Sequence, residues 1–487
     1  MATQKDNTFT IVFDRWYQGF APMAQFYNLT ALGNAGMASS MTNVDILAPD
    51  YITQGSSSTP LTNGTEAGVV SELITFILDK ATSDDVSYAI GATKLFKLSS
   101  TTVASGGSPS FPQVITNCAD GESLVDMGGN LYGFYNTSSA GDILKMPLAT
   151  EVIDPDWGST TPIGFAALQK AVHPVAVKED IIAFGNGRYM GTYVGDTDTL
   201  APTKLDFQSG NIVSDVVFHA NQWWIAVNSG VSGTNRNYGH IFIYDGSATE
   251  SILADETSIG VQRIGFLYAL NGIVYVAYQD LSSTAGYKIG YIIGRQIKPL
   301  GYFSGSLPTF AQKTLYKNTI LFISNHLVYS AGAVIEELPI QISQYMDGGY
   351  STVGAIACPF GEILIASSQS TSYKLVKADR YDTNSNWKSI IIPLISGRML
   401  GYIDEVIVLT NTLAANARCD LVLEYNQNSS DSGTAKQITG TGLRRFVFNI
   451  GSGSIEDFRL YLNWANGNAT NDCPIRQIQV LGHFTEK

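Results

Sequence analysis

The sequence predicts an all-β protein: a seven-bladed β-propeller followed by a small C-terminal β-sandwich, with an extended N-terminal arm before them. Three observations lead to this prediction. The 487 residues include 47 glycines and 25 tyrosines but only 15% charged residues, a composition typical of short strands joined by tight turns. One hairpin pattern recurs along the middle of the chain at nearly constant spacing. The pattern ends near residue 390, where another kind of strand pattern begins.

The arm comprises residues 1–64, which precede the first repeat. It contains an aromatic cluster, and Trp16, Tyr17 and Phe20 are its candidate subunit-docking residues. A ring of blades closes by pairing its own strands, so it does not need a long aromatic leader. Large aromatic side chains are nevertheless costly to leave in water. The cluster is therefore expected to be buried either against the propeller or against another subunit, and both alternatives stay open.

The propeller is assigned to residues 65–390 because seven hairpins recur there. Each begins at a turn residue and continues into two strands of alternating aromatic and β-branched residues. The turn residues are Asp85, Asn130, Asp180, Asn221, Asn271, Asn318 and Gly361. Their spacings are 45, 50, 41, 50, 47 and 43 residues, and four strands in about 40–50 residues, repeated, are the signature of a propeller blade. Six or eight blades remain alternatives because terminal blades often diverge, while a row of unrelated sandwiches is disfavoured by the even spacing.

The C-terminal sandwich is assigned to residues 391–487, and Pro393 marks the boundary. Alternation such as Leu421, Leu423 and Tyr425 directs one face of a strand inward. Five strand-like runs are separated by Gly, Asn and Ser turns: Gly401–Leu409, Cys419–Tyr425, Arg445–Ile450, Phe458–Trp464 and Ile475–Leu481. Helix is scarce, and the two candidate short helices are Gly68–Leu78 and Ile163–Val172.

Charge and cysteine usage limit the partners and the compartment. The chain has 29 Lys and Arg against 42 Asp and Glu, for a net charge of −13. Because no basic field neutralises phosphates, sequence-specific nucleic-acid binding is not expected. The N-terminus lacks a signal-peptide pattern and no apolar run is long enough for a membrane span, so synthesis in a cytosol is expected. The cysteines Cys118, Cys358, Cys419 and Cys473 are expected to be free thiols, with pairing of Cys419 and Cys473 left open.

No pattern of residues predicts catalysis, a cofactor or a bound metal. The five histidines lie in different segments and form no metal or nucleophile motif. The best cation candidate is Asp382, Asn384 and Asn386, but Trp387 replaces the turn glycine and Pro393 the bidentate glutamate of a calcium loop. A polar turn is the favoured interpretation of that segment.

Other residues with the chemistry of a site have simpler interpretations. Acidic pairs such as Asp84–Asp85 occur in any acidic chain, and sequence cannot show the separation that glycoside hydrolysis requires. Trp223 and Trp224 are adjacent on a strand, so their side chains point to opposite faces. Core packing is therefore expected of them, and no residue is assigned a catalytic role.

The two ends of the chain resemble a known group of proteins. The segments Asp14–Pro22 (DRWYQGFAP) and Pro474–His483 (PIRQIQVLGH) resemble structural proteins of tailed-bacteriophage virions, in which a β-propeller is followed by a small sandwich. The resemblance implies a non-enzymatic tail nozzle, hub or tail-tip protein in the virion. It also implies assembly into a homo-oligomeric ring that contacts other tail proteins, with either DNA passage along the exit path or contact with the host as its role.

Two other classes of function remain open. A receptor- or carbohydrate-binding propeller would carry exposed aromatic residues and carboxylates at one mouth of the ring. A glycan-cleaving propeller would carry two carboxylates that face each other there. The absence of catalytic motifs in the sequence favours the structural protein over both.

Overall fold

A computed structural model confirms that the protein is all-β. It describes residues 7–14, 16, 38–42, 44–47, 51–54, 56–60, 62–63, 66–67, 69–70, 72–83, 85–104, 110–154, 168–229, 238–246, 252–253, 261–280, 286–294, 296–332, 343–347, 352–369, 372–381, 385–394, 399–426, 435–448, 454–464 and 471–486. Among these residues the only helix is α1 (Ser100–Ala104), and it is five residues long. No helix in the described ranges is long and apolar enough to cross a membrane.

The N-terminal residues form eight strands. They are β1 (Asn7–Phe13), β2 (Ala38–Thr42), β3 (Val44–Asp45), β4 (Thr53–Gln54), β5 (Ser56–Pro60), β6 (Thr62–Asn63), β7 (Glu66–Ala67) and β8 (Val69–Val70). Strands β3 and β4 pair with each other, as do β6 and β7. The others pair with strands from later in the chain.

Seven small antiparallel sheets follow one another in the described part of residues 74–381. The first three contain β9 (Ile74–Ile77), β10 (Val86–Gly91), β11 (Lys94–Ser99) and β12 (Ser110–Val114); β13 (Asp120–Met127), β14 (Asn130–Asn136) and β15 (Gly141–Pro147); and β16 (Val175–Lys178), β17 (Ile181–Asn186), β18 (Tyr189–Val194) and β19 (Thr199–Asp206). The fourth and fifth contain β20 (Asn211–His219), β21 (Gln222–Ser229), β22 (Gly239–Tyr244) and β23 (Ile252–Leu253); and β24 (Val261–Leu270), β25 (Ile273–Asp280), β26 (Tyr287–Ile293) and β27 (Gln296–Phe303). The sixth and seventh contain β28 (Lys313–Tyr316), β29 (Thr319–Ser324), β30 (Leu327–Ala331) and β31 (Ser343–Asp347); and β32 (Thr352–Ala357), β33 (Leu364–Gln369) and β34 (Ser372–Tyr381).

The seven hairpins predicted from the sequence are confirmed, and each forms the second and third strands of one sheet. The turns explain why the pattern recurs. Asn221, Asn271 and Asn318 have φ angles of 61°, 49° and 59°, and Gly361 has a φ angle of 76°. Asn and Gly tolerate this left-handed conformation better than other residues. The predicted helix at 68–78 is wrong, because that segment contains β8 and β9.

Six pairs of neighbouring sheets pack through their first strands. Strand β9 contacts β13 and β32, β13 contacts β16, β16 contacts β20, β20 contacts β24, and β28 contacts β32. The apolar core is divided accordingly into clusters between neighbouring sheets. One cluster joins Tyr88 and Leu95 of the first sheet to Leu124 and Leu131 of the second. Strand β8 also pairs with β34, so residues that precede the first sheet complete the seventh.

The C-terminal strands form two larger sheets. The strands are β35 (Asn386–Ser389), β36 (Ile392–Pro393), β37 (Met399–Thr410), β38 (Cys419–Tyr425), β39 (Lys436–Ile438), β40 (Gly442–Phe446), β41 (Asp457–Asn463) and β42 (Ile475–Glu486). One sheet has the order β1-β42-β37-β40 and the other β2-β35-β41-β38-β39, with β36 also paired to β41. Both contribute to one buried cluster, for example through Val406 and Val480 of the first sheet and Leu421 and Leu462 of the second. The strand predicted at 445–450 lies at 442–446 instead.

The chain divides into two compact units, but not at the boundaries expected from the sequence. The terminal unit comprises Met1–Ser58, Val328–Asp347 and Asp379–Lys487, and the repeat unit comprises Thr59–Leu327 and Gly348–Ala378. The prediction that residues 1–64 form a separate N-terminal arm therefore differs from the structure, in which β1 and β2 are strands of the two C-terminal sheets. These strands pair with partners far away in the chain, and the local alternation of side chains cannot predict which distant strand a given strand pairs with.

Candidate functional site

The docking role predicted for Trp16 is wrong. Its side chain has no exposed surface, and its Nε1 donates a hydrogen bond to the carbonyl oxygen of Arg476 at 2.9 Å. The indole packs edge-on against Trp387, with ring centroids 5.1 Å apart. Because the side chain is part of the core of its own terminal unit, it cannot be buried by a neighbouring copy. Tyr17 and Phe20 lie outside the described residues.

The sheet that contains β1 has two outer strands, β1 and β40, and no other described strand pairs with either of them on the outer side. Outer strands present unpaired backbone N–H and C=O groups, and proteins usually protect them with charged residues or proline. Strand β1 (NTFTIVF) contains neither. Its outer edge is therefore suited to pair with another strand.

The opposite edge, at β40, combines positive charge with exposed apolar side chains. Arg444 and Arg445 are exposed, and Leu443 and Val447 retain 55% and 61% of their accessible surface. Arg445 Nη1 donates to Glu405 Oε1 at 2.6 Å. In a chain of net charge −13, this edge is suited to a strand that brings a carboxylate.

A buried ion pair connects three sheets of the repeat unit. Lys313 of β28 donates to the carboxylate of Asp215 of β20 and to the carbonyl oxygen of Leu267 of β24 at 2.6 Å. The Leu267 N–H in turn donates to Asp215 Oδ2 at 2.7 Å. Burial raises the pKa of Asp215 and lowers that of Lys313, while their mutual attraction opposes both shifts. The pair and the Leu267 backbone therefore connect the fourth, fifth and sixth sheets.

Asp79, which follows β9, forms a second connection. Its carboxylate accepts hydrogen bonds from Thr314 Oγ1 and from the backbone N–H of Cys358 at 2.9 Å. It therefore joins the first sheet to the sixth and to the residue that follows β32. Burial raises the pKa of Asp79, and these hydrogen bonds oppose the shift.

A polar cluster lies between the second and third sheets. Asn136 Nδ2 donates to Glu122 Oε1 at 2.6 Å and to the carbonyl oxygen of Ala171 at 3.0 Å. Burial, with a smaller contribution from nearby Asp120, raises the pKa of Glu122 to about 7. His173 is buried and its Nδ1 lies 2.8 Å from the carbonyl oxygen of Gly185, which requires the proton on Nδ1. Burial lowers the pKa of His173, so the imidazole is neutral near pH 7.

The other histidines and the cation candidate are dispersed. His219 lies beside Trp224, and His483 stacks on Tyr402 and bonds to Asp404 at 3.0 Å. Asp382 and Asn384 lie outside the described residues, whereas Asn386 is in β35. Within the described ranges, no three His, Cys, Asp or Glu side chains are placed to hold a metal ion.

The tryptophan pair and the cysteines occupy packing positions. Trp223 belongs to a cluster within the fourth sheet and its neighbour, and Trp224 packs against a different cluster on the other side of β21. The expected core packing is therefore confirmed. All four cysteines are free thiols; Cys419 and Cys473 are buried, and burial raises the pKa of Cys473 to about 12.

Comparison with known proteins gives structural matches only. No protein-family model and no curated protein sequence matches the chain. The computationally designed Ika8 protein matches with a TM-score of 0.41 and 12% identity, over 66% of this chain and 99% of that protein. The extracellular domain of a protein described as a hybrid two-component system from B. thetaiotaomicron matches with a TM-score of 0.45 and 13% identity, over 79% of this chain and 47% of that one. A PQQ-bound aldose sugar dehydrogenase from Streptomyces coelicolor matches with a TM-score of 0.41 and 8% identity, over 66% of this chain and 97% of that protein.

These matches assign the chain to no family. The chain spans about half the length of the second of these proteins.

Proposed function

We propose that this chain is a non-enzymatic structural component of a tailed-phage virion, of the tail nozzle, hub or tail-tip type. The observation that most supports the proposal concerns the two segments that resemble such proteins. The strand before the first segment pairs with the second segment, from Thr8 opposite His483 to Phe13 opposite Ile478. Trp16 of the first segment bonds to Arg476 of the second. The described residues at the two ends therefore pack together, as expected of a domain that both ends of the chain build.

We further propose that the seven small sheets are the blades of one propeller and that the two C-terminal sheets form a β-sandwich. The contacts between successive first strands support the propeller, since β9 of the first sheet contacts β32 of the seventh as well as β13 of the second. The pairing of β8 with β34 also supports it. Completing the last blade with a strand from the start of the chain is an effective way to close a ring of blades.

The surroundings of the buried charged groups support a structural role over an enzymatic one. Asp215 and Lys313 are bonded to each other and to backbone groups of a neighbouring sheet. Asp79 is bonded to two further sheets. A general acid or base must reach a substrate proton, whereas these groups are buried and bonded to partners within the fold.

In the virion the protein would form a homo-oligomeric ring that contacts other tail proteins. The chain has 42 acidic and 29 basic residues. This excess of acidic residues suits a DNA exit path, because a negatively charged channel surface repels passing DNA. The site of action would be the tail, after synthesis in the host cytoplasm.

Electron microscopy of the purified full-length protein tests the proposal. Closed rings of uniform diameter are expected, together with no turnover and no retention of bacterial surface glycans. A monomer that binds or cleaves such a glycan, with loss of this activity on a single carboxylate substitution, would replace the structural role with one of the two alternative classes.

A further inference from the structure

We propose that copies of this chain assemble through their terminal units by continuing one β-sheet from copy to copy, with β40 of one copy paired to β1 of the next. The inference rests on the proposed function, since it supplies the subunit contact of the proposed ring. The starting observation is the sheet β1-β42-β37-β40, in which both outer strands are open among the described residues.

Strand direction is compatible with this contact. Each of the three pairings in the sheet is antiparallel, so β40 runs antiparallel to β1. When a second copy is placed beside β40 in the same orientation, its β1 is again antiparallel to β40. The alternation of strand directions therefore continues across the contact, and each copy uses a different edge, as a head-to-tail ring requires.

The faces of the sheet exclude registers that are shifted by an odd number of residues, and the proposed register continues the rows of the sheet. Residues directly opposite each other point to the same face of a sheet. One row across the sheet contains Ile11, Val480, Val406 and Phe446, and the next contains Val12, Gln479, Ile407 and Arg445. The first row faces the buried core, where Ile11, Val480 and Val406 lie. Continuing the rows places Phe446 opposite Ile11 of the next copy and Arg445 opposite its Val12.

Charge is complementary in this register. Asp14 directly follows β1 and is exposed. The next-copy Asp14 would lie opposite Leu443, on the same face as Arg445 and diagonal to it. Diagonal neighbours are about 7–8 Å apart between backbones, within reach of an arginine side chain. A register shifted by one residue would instead turn core-facing side chains outward.

The two edges also differ in a way that suits unlike partners. Strand β1 itself contains no charged residue, whereas strand β40 contains two exposed arginines. Pairing β40 with itself across a two-fold axis would bring these like charges together, which is destabilising. Pairing β40 with β1 avoids this repulsion and covers the exposed apolar side chains of Leu443 and Val447.

Disulfide cross-linking of the full-length protein tests the register. A mixture of the single variants Val12→Cys and Arg445→Cys, mildly oxidised, should give a covalent dimer on a non-reducing gel. Within one copy β1 and β40 are separated by two strands, roughly 14 Å at ~4.8 Å per strand spacing, so an intramolecular bond is excluded. Thr8→Cys mixed with Arg445→Cys is the matched control and should not cross-link. The unsubstituted protein, oxidised in the same way, shows whether the native cysteines form a covalent dimer by themselves.

Charge exchange tests the contact independently. Arg445→Asp should raise the apparent dissociation constant of assembly about tenfold, and adding Asp14→Arg should restore assembly. Glu405→Gln, which removes the partner of Arg445 within the same copy, should leave assembly unchanged. A monomeric unsubstituted protein at high micromolar concentration, equal cross-linking of the control pair, or rings without the cross-link would each overturn the inference. Rings without the cross-link leave the proposed function intact, whereas a cross-linked open fibre supports this contact and contradicts the closed ring.

Discussion

The terminal unit and the repeat unit use different kinds of core. In the terminal unit one apolar cluster takes side chains from both sheets and contains three fully buried tryptophans, Trp16, Trp387 and Trp464. In the repeat unit the apolar core is divided into separate clusters between neighbouring sheets. Buried charged groups such as Asp215 and Lys313 join sheets that are not consecutive in the chain. Apolar packing holds one unit together, while the other adds directional bonds that specify which sheets are neighbours.

The largest effect is expected from Trp16→Ala in the terminal unit. The substitution removes a fully buried indole and leaves the Arg476 carbonyl oxygen without its donor. The free energy of unfolding of this unit should fall by about 3–5 kcal/mol, measured by denaturant titration with hydrogen exchange of β42. Trp16→Phe should lower the free energy of unfolding by less, because the phenyl ring keeps most of the buried apolar area of the indole. Intact stability with failed assembly would instead return Trp16 to a docking role.

A slightly smaller effect is expected from Asp215→Asn in the repeat unit. The substitution leaves the buried Lys313 charge without its counter-ion, and losing one partner of a buried pair costs about 3 kcal/mol or more. Chemical denaturation should show this loss, whereas Asp196→Asn at an exposed turn should have little effect. The double variant Asp215→Leu, Lys313→Met should recover most of the stability, because it buries no charge. If the double variant did not recover stability, the bonds of Asp215 and Lys313 would be required for folding itself.

A pH-dependent effect is expected from Glu122. Its pKa is raised from 4.5 to about 7 in the folded protein, so its contribution favours folding below about pH 4.5 and is lost as the pH rises through 7. At about 1.36 kcal/mol per pKa unit, this loss corresponds to roughly 3 kcal/mol of the free energy of unfolding. Glu122→Gln should therefore be more stable than the parent at pH 8 and nearly equal at pH 4.5. Equal stability differences at both pH values would contradict the raised pKa, and the exposed Glu179→Gln is the control.

The smallest effect is expected from Glu405→Gln. Its ion pair with Arg445 lies at the surface, where the arginine side chain is 61% exposed. Such pairs contribute about 0.5 kcal/mol or less. Thermal melts at low and high salt should both match the parent within that margin. A larger, salt-sensitive loss would mean that the β40 edge depends on charge, as the buried connections of the repeat unit do.

Local patterns were sufficient for the hairpins but not for the chain ends. The turn residues Asn221, Asn271 and Asn318 adopt the left-handed φ angles that asparagine tolerates, so their spacing could be recognised in the sequence. The hydrogen-bond partner of Trp16 could not be recognised in this way. Trp16 meets the Arg476 carbonyl oxygen across 460 residues, and no local pattern specifies so distant a partner. The uncharged run of β1 was visible in the sequence, but its place at a sheet edge was not.

The amino-acid sequence by itself determined the seven hairpins, where they turn, and which faces of their strands carry apolar side chains. These properties depend on backbone conformation and on the alternation of side chains, both of which act over a few residues. Only the tertiary structure decided that β1 and β42 share a sheet, that Asp79 accepts a hydrogen bond from the Cys358 N–H, and that β1 and β40 are the outer strands of their sheet among the described residues. Those pairings arise from burial and hydrogen bonding between segments far apart in the chain, and they form only when the sheets pack together.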